Sequence, residues 1–309
     1  MVELKANKSK GTWIDKITDR IFRGLIWLAL CIPYEQRVPF MGWLIKRVIG
    51  PLAGYRKRAI ESLTYIMTDL SVKEIQDIAD GVLDNLGRTI IENYSGIDFS
   101  KRIEKATVYC DGFSAVETAV AEGRPIIFVT GHFGNHEAPR QWLNTKGFRI
   151  GGLYRPMKNP YFNEHYARTM TEMSGPVFPQ GRQGTTGFIR HIKNGGLATL
   201  LFDVHAHDAP KINFMGHLAC TATSAAEMAL KFDAVMIPYF AKRKKNGLDF
   251  EIYIEAPIEP SNPVTMLTEA TKRLERHIHS APEQWFWVHR RWKPQRTQDA
   301  ARIDPGPTS

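Results

Sequence analysis

Apolar residues in this chain fall into short runs of two kinds, which alternate along most of its length. Segments such as 125–130 (PIIFVT) and 197–202 (LATLLF) are almost continuously apolar, which is typical of buried strands. Between them lie segments whose apolar residues recur every three or four positions, which indicates helices. Strands that alternate with helices predict an α/β fold with a mainly parallel central sheet flanked by helices.

The predicted elements follow from these runs and from the glycines and prolines between them. The predicted strands lie at 106–110, 125–130, 148–154, 176–178, 197–202, 235–240 and 250–254. The predicted helices lie at 60–98, 114–122, 138–146, 159–173, 187–193, 222–232 and 264–280.

The first 58 residues mix bulky apolar side chains with basic ones. They hold twelve of the 41 Lys and Arg residues and four of the 32 acidic ones, so nearly all of the net charge of +9 lies there. The apolar stretches at 21–33 and 40–52 are too short to span a bilayer, and Pro33-Tyr34-Glu35 is unlike a signal-peptide cleavage site. We therefore predict N-terminal membrane-associated helices that lie on an anionic membrane surface. Two ordinary core helices are the alternative.

The rest of the chain is almost neutral, which argues against a nucleic-acid partner. Its three cysteines are far apart and form no CxxC pair, which fits a reducing compartment. We predict three regions: a basic amphipathic membrane-anchoring segment at 1–58, a catalytic domain at 59–295 and a polar, disordered tail at 296–309.

The loop at 131–137 (GHFGNHE) carries the most specific chemical signal. It follows the most apolar strand, and ligands of open α/β sheets bind at the carboxyl ends of strands. Histidine is suited to remove a proton from a hydroxyl near neutral pH, so we predict His132 as a general base. A carboxylate on its other ring nitrogen would fix the tautomer, and we predict Glu137 for this role. In the alternative interpretation, Glu137 only complements a helix dipole.

Four segments in order carry a resemblance to a known family. Residues 131–137 have the histidine–four residues–glutamate (HX4E) pattern, and the other segments are YRPMKNP at 154–160, Asp203 with FMG at 214–216 and TAT at 221–223, and PEQWFWVHRRWK at 282–293. Over residues 15–295 the chain resembles the lipid A biosynthesis late acyltransferases, the lauroyl and myristoyl transferases of Gram-negative bacteria, within the lysophospholipid acyltransferase superfamily.

The resemblance implies an enzyme that transfers a fatty acyl chain from an acyl carrier protein or coenzyme A thioester to a hydroxyl of a lipid acceptor. It implies the cytoplasmic face of the bacterial inner membrane and no metal or prosthetic group. Backbone amides at 131–133, or Arg155, are expected to stabilise the oxyanion. Asp203 is expected to orient Arg155 or a histidine. The residues expected to bind substrate are Arg155, Asn159, Asp203, Glu283 and Arg290.

The acceptor stays open between a lipid A precursor and a lyso-aminolipid or lysophospholipid. Residues 203–208 (DVHAHD) depart from the family's acidic-glutamine-acidic run, at a place where the acceptor is expected to bind. The tryptophans of residues 282–293 are expected to divide between a membrane-facing side and a core-facing side. Residues 242–247 (KRKKNG) predict a solvated hairpin turn.

Two other classes of function remain as alternatives. A metal-dependent hydrolase would use the cluster of His205, His207 and Asp208, whose spacing resembles that of metal ligands. A lipid-binding protein without catalysis would not need His132.

Overall fold

The computed structural model describes residues 11–292 of the 309-residue chain. The predictions for the first ten residues and for the tail at 296–309 lie outside the described residues.

The described part contains a central sheet and a separate hairpin. The strands are β1 (Thr107–Tyr109), β2 (Ile126–Thr130), β3 (Ile150–Tyr154), β4 (Val177–Pro179), β5 (Leu197–Leu201), β6 (Lys211–Phe214), β7 (His217–Cys220), β8 (Val235–Arg243) and β9 (Phe250–Ile254). Strands β6 and β7 form the hairpin, and the other strands form the sheet in the order β1-β9-β8-β2-β5-β3-β4. All pairs in the sheet are parallel except β8 and β9.

Helices cover the sheet and form the N-terminal region. They are α1 (Trp13–Leu30), α2 (Tyr34–Leu44), α3 (Gly50–Leu52), α4 (Tyr55–Ile66), α5 (Val72–Tyr94), α6 (Gly96–Ile103), α7 (Phe113–Ala121), α8 (Ala138–Thr145), α9 (Pro160–Ser174), α10 (Arg182–Lys193), α11 (Ser224–Lys231) and α12 (Pro263–Ser280). A π-helical segment (Ile45–Ile49) connects α2 to α3, and a 3-10 turn (Pro282–Gln284) follows α12.

The predicted α/β class and the mainly parallel sheet are confirmed. The helix predicted at 60–98 is instead parts of α4, α5 and α6. The antiparallel pairing of β8 with β9 confirms the hairpin predicted around 242–247. The hairpin of β6 and β7 was missed because its turn is Met215-Gly216, and methionine is not a usual turn residue. Both residues have positive φ, at 53° and 80°, as a two-residue hairpin turn requires.

Apolar side chains of β2 supply both faces of the sheet. Ile127 and Val129 belong to the core on one face, whereas Ile126 and Phe128 belong to the core on the other. Alternate residues of a strand point to opposite faces, so a strand covered on both sides must be apolar throughout. This is why the run at 125–130 shows no polar alternation.

Helix α1 leaves much of its apolar surface uncovered. Trp13, Ile17, Ile21, Leu25 and Leu28 are each about half or more exposed. They recur at three- and four-residue spacing and so lie on one face of the helix. Within residues 11–292, no helix is both long and apolar enough to cross a bilayer.

Candidate functional site

The site lies where parallel strands β2, β3 and β5 end. His132 follows β2, Arg155 follows β3 and Asp203 follows β5. These three strands are adjacent in the sheet in the order β2-β5-β3 and run the same way, so the residues after them share one edge. The sheet therefore brings together residues that are up to 71 positions apart in sequence.

Asp203 holds His132 by two hydrogen bonds. Nδ1 of the His132 ring lies 2.8 Å from Oδ1 of Asp203. The backbone N–H of His132 donates to Oδ2 of the same carboxylate at 2.7 Å. The His132 side chain is 28% exposed, whereas that of Asp203 is fully buried. The base candidate is therefore reachable from outside, and its partner is not.

The Asp203 carboxylate is ionised. Burial by itself would raise the pKa of Asp203, but the His132 ring and the hydrogen bonds it provides hold that pKa well below its usual value. An ionised carboxylate only accepts hydrogen bonds, so the His132 proton lies on Nδ1. The lone pair of Nε2 is left to act as a base.

Glu137 is not the carboxylate on Nδ1 of His132, which corrects the predicted pairing. Its Oε2 accepts a hydrogen bond from Nη1 of Arg140 at 3.1 Å, and its Oε1 lies 3.9 Å from Nε2 of His136. The buried Arg140 also donates to the carbonyl of Ile150, at 2.7 Å from Nη2. Glu137 thus ties the start of α8 to β3 through Arg140. Asp203 takes the position on Nδ1 of His132 instead, because it follows β5, which lies next to β2 in the sheet.

Two of the backbone amides predicted as oxyanion donors, those of His132 and Phe133, are already hydrogen-bonded inside the protein. The amide of His132 donates to Asp203, as described above, and that of Phe133 donates to the carbonyl of Gly131 at 2.8 Å. The amide of Gly134 donates to the carbonyl of Gln284 at 2.9 Å. The amides of His132 and Phe133 therefore do not form the predicted oxyanion hole in this structure.

Gly134 lets the loop after β2 press against β8. Its φ is +55°, and a Cβ there would lie 1.8 Å from the carbonyl oxygen of Ala241. Two side chains of α5 hold the Gly134 carbonyl: Nδ2 of Asn85 at 2.9 Å and Oγ1 of Thr89 at 3.1 Å. Only glycine combines this backbone conformation with so close an approach.

A buried ion pair lies under the same loop. Arg243 and Glu92 are both buried and pair in two places, one of them Nη2 to Oε2 at 2.8 Å. Oε2 of Glu92 also accepts a hydrogen bond from Nδ2 of Asn135 at 2.9 Å. Arg243 therefore belongs to the interior support of the site, which corrects its prediction as part of a solvated turn. The run of four basic residues at 242–245 concealed this buried position.

Two further imidazoles flank the His132 ring. The ring centroid of His136 lies 5.3 Å away and that of His289 lies 4.7 Å away. Burial lowers the pKa of His136 and that of His289 to about 4. Both rings are therefore neutral at pH 7. Neither histidine was predicted as a catalytic or substrate-binding residue.

The other predicted site residues divide between exposed and structural positions. Arg155 and Arg290 are exposed, and Glu283 is partly buried beside Gly81. Asn159 caps α9 through Oδ1, and its Nδ2 donates to the carbonyl of Asp15 in α1 at 2.7 Å. Both polar groups of Asn159 thus make structural contacts, and its role in substrate binding stays a prediction.

The tryptophans of the C-terminal segment do not divide between membrane and core, contrary to expectation. Trp285, Trp287 and Trp292 are all buried. Nε1 of Trp285 donates to Oδ2 of Asp203 at 2.8 Å, and Nε1 of Trp287 donates to the carbonyl of Pro282 at 2.8 Å. These residues build the interior behind the site.

The histidine cluster after β5 does not assemble into a metal centre. The side chains of His207 and Asp208 are 88% exposed and contact each other at 2.7 Å. Within residues 11–292, no group of three or more His, Cys, Asp or Glu side chains is placed to hold a metal ion. The metal-dependent hydrolase alternative has no site in the described structure.

A histidine held by a buried carboxylate at the open edge of an α/β sheet can act as a base toward a hydroxyl, so the site is that of an enzyme rather than of a structural protein. The family model described as "Bacterial lipid A biosynthesis acyltransferase" matches residues 10–294. The chain therefore belongs to this family and is an acyltransferase, as its resemblance implied.

Similar proteins of known name agree with this assignment. The chain is 25% identical over 283 residues to the lipid A biosynthesis lauroyltransferase of Escherichia coli, with 87% of this chain and 89% of the relative covered. It is 23% identical over 274 residues to the lipid A biosynthesis acyltransferase of Haemophilus influenzae, with 87% and 86% covered. It is also 22% identical over 282 residues to the lipid A biosynthesis palmitoleoyltransferase of Escherichia coli, with 87% and 89% covered.

Proposed function

We propose that this acyltransferase is a membrane-associated O-acyltransferase that moves a fatty acyl chain from an acyl thioester to a hydroxyl of a lipid acceptor. The hydrogen bond between Nδ1 of His132 and Asp203 is the observation that carries the mechanism. It leaves the Nε2 lone pair for the acceptor hydroxyl at an exposed edge of the sheet. The reaction so described requires no metal or prosthetic group.

In this mechanism His132 acts as base and then as acid. Nε2 takes the proton of the acceptor hydroxyl while its oxygen forms a bond to the thioester carbonyl carbon. The tetrahedral intermediate then breaks its C–S bond, and the thiolate takes the proton back from His132. Asp203 stabilises the imidazolium between these two steps. Glu137 supports the loop through Arg140 rather than through the His132 ring.

The membrane surface is the second part of the proposal. The apolar face of α1 defined above is exposed, with Lys16 and Arg20 exposed on the same helix. Asn159 links α1 to the loop that carries Arg155, at the site edge of the sheet. An α1 lying on an anionic bilayer would bring that edge to the lipid surface. Arg155 and Arg290 would then bind an anionic group of either substrate.

The acceptor is proposed from the family. The relatives named above act in lipid A biosynthesis, which favours a lipid A precursor that carries a 3-hydroxyacyl chain. The same hydroxyl occurs in simple aminolipids, and a lyso-aminolipid or lysophospholipid is the competing acceptor. We place the reaction at the cytoplasmic face of the bacterial inner membrane, where acyl carrier protein and coenzyme A thioesters are made.

The test is acyl transfer by purified protein in vesicles that contain phosphatidylglycerol. Lauroyl-carrier protein and lauroyl-coenzyme A serve as donors, and a 3-hydroxyacylated lipid A precursor, an N-(3-hydroxyacyl) aminolipid and a lysophospholipid serve as acceptors. Mass spectrometry should detect one acceptor whose mass increases by a lauroyl group.

The matched variants are His132→Ala and His279→Ala. The first should lower kcat by about a thousandfold or more, because the base is lost. The second should not change kcat, because His279 is exposed at the end of α12. Equal turnover by wild type and His132→Ala would contradict the mechanism, and retained lipid binding without any transfer would indicate a lipid-binding protein.

A further inference from the structure

The oxyanion of the proposed reaction needs a hydrogen-bond donor close to His132. When the hydroxyl attacks, negative charge develops on the thioester carbonyl oxygen, and a preorganised donor stabilises it. The amides of His132 and Phe133 are taken by Asp203 and by the carbonyl of Gly131. A side chain beside His132 can supply the donor in their place.

His289 lies in the right place and is held there. Its ring centroid is 4.7 Å from that of His132, with the planes at 72°, and 4.7 Å from that of Phe286. The amide of Phe286 donates to the carbonyl of His132 at 3.0 Å. On the other side, the buried Arg291 donates to the carbonyl of Val204 at 3.1 Å. The segment around His289 is thus attached to the loops after both β2 and β5.

One nitrogen of His289 is buried without a hydrogen bond. Nε2 has no partner among the described residues, although it is shielded from solvent. A buried polar atom without a partner costs free energy, so its retention calls for an explanation. A substrate atom that enters the site would supply the missing partner.

We infer that Nε2–H of His289 donates a hydrogen bond to the carbonyl oxygen of the acyl thioester and stabilises the oxyanion beside His132. This inference rests on the proposed function. The hydroxyl oxygen bonds to the carbonyl carbon, the carbonyl electron pair moves to oxygen, and His132 takes the hydroxyl proton. When the C–S bond breaks, the pair returns and the thiolate is protonated by His132. His289 keeps its proton throughout.

The protonation state of His289 suits this role. Burial lowers the pKa of His289 to about 4, with the neighbouring His132 contributing in the same direction. The neutral ring carries one N–H at pH 7 and holds it too firmly to act as an acid. It adds no positive charge next to a base that must itself become positive.

Two substitutions separate hydrogen bonding from packing. His289→Phe keeps a flat ring against His132 and Phe286 but removes the donor. His289→Gln loses the ring but places an amide N–H near the position of Nε2. The control is His279→Gln, which makes the same change in an exposed histidine at the end of α12. The assay uses whichever of lauroyl-carrier protein and lauroyl-coenzyme A the wild type accepts, at saturating acceptor.

The expected result is a loss in kcat with little change in KM. His289→Phe should lower kcat by about a hundredfold or more, and His289→Gln should recover at least tenfold of that loss. The acid limb of the kcat–pH profile should stay in place in both variants. His279→Gln should behave as wild type.

Other outcomes overturn the inference separately from the proposed function. Wild-type kcat in His289→Phe, or a His289→Gln variant no faster than His289→Phe, would show that Nε2 is not the donor. A shifted acid limb would show that His289 acts through His132 instead. If wild type transfers no acyl chain, or if His132→Ala is as active, the proposed function itself fails.

Discussion

Nε1 of Trp285 donates a hydrogen bond to Oδ2 of Asp203 at 2.8 Å. The same oxygen accepts from the His132 amide, while Oδ1 contacts the His132 ring. One buried carboxylate thus joins the loop after β2, the end of β5 and the C-terminal segment. The orientation of the base candidate depends on all three.

Asp203→Asn should reduce turnover because it changes which ring nitrogen of His132 carries the proton. An amide can donate to Nδ1 and leave the proton on Nε2, so we expect kcat to fall by about a hundredfold to ten-thousandfold. The acid limb of the kcat–pH profile should also move, because the imidazolium loses its ionised partner. Steady-state kinetics across pH measures both effects.

Glu137→Gln is the matched variant, since it makes the same change in the neighbouring acid. We expect a lower unfolding free energy and a lower kcat, because the ion pair with Arg140 is lost, but an unmoved acid limb. An acid limb that shifts in Glu137→Gln and not in Asp203→Asn would reverse the two assignments.

Trp285→Phe should weaken the hold on Asp203 while keeping an aromatic ring in the core. A hydrogen bond to a charged group is worth about 1.5–3 kcal/mol, so we expect about a tenfold or greater loss in kcat. Trp287→Phe is the control, because Trp287 is equally buried but donates to the carbonyl of Pro282. Both Trp→Phe variants should lower the unfolding free energy. Equal kcat values in the two variants would argue against a role for the hydrogen bond between Trp285 and Asp203.

Gly134→Ala should be strongly destabilising. Its φ of +55° costs an alanine about 1–2 kcal/mol, and the new Cβ would also overlap the carbonyl of Ala241. Gly123→Ala has a similar φ of +69° but open space around the new Cβ, so it should incur only the conformational cost. Urea denaturation should therefore show a clearly larger loss of unfolding free energy for Gly134→Ala than for Gly123→Ala. Similar losses in the two variants would mean that the loop moves away from β8.

Stability should fall as the pH is lowered from about 6.5 to about 4. In this range the unfolded chain protonates His136 and His289, whereas the folded chain, in which burial lowers each pKa to about 4, does not. The unfolded state then binds more protons, so the unfolding free energy decreases by a few kcal/mol in all. The depressed pKa of Asp203 adds a further loss only below about pH 4.

The measurement is urea denaturation at a series of pH values. His289→Gln should show a shallower dependence between pH 6.5 and 4, because one of the two histidines no longer titrates. The same slope in wild type and variant would contradict the assignment of a low pKa to His289.

Charges placed on the apolar face of α1 should release the protein from membranes. Burial of two Ile or Leu side chains contributes about 3–6 kcal/mol, so Ile17→Asp with Leu25→Asp should weaken binding more than tenfold. Ile97→Asp is the control, because Ile97 is 74% exposed on α6 instead. Sedimentation with phosphatidylglycerol vesicles tests this, and unchanged binding of the α1 variant would place the membrane contact elsewhere.

The sequence by itself determined the α/β class, the position of the base candidate and the family. Hydrophobic runs reveal strands that are covered on both faces, as β2 is, and the four segments keep their order along the chain. The loop at 131–137 was recognised because its histidine comes directly after an apolar strand, which is a local feature of the sequence. These properties depend on neighbouring residues, which the sequence displays directly.

Only the tertiary structure decided which side chains meet. Asp203 reaches His132 across 71 positions because β5 lies next to β2, whereas the closer Glu137 is drawn to Arg140. The burial of Arg243 and the approach of His289 to His132 have the same origin. Such contacts are set by strand order and packing, and the spacing of residues along the chain does not encode them.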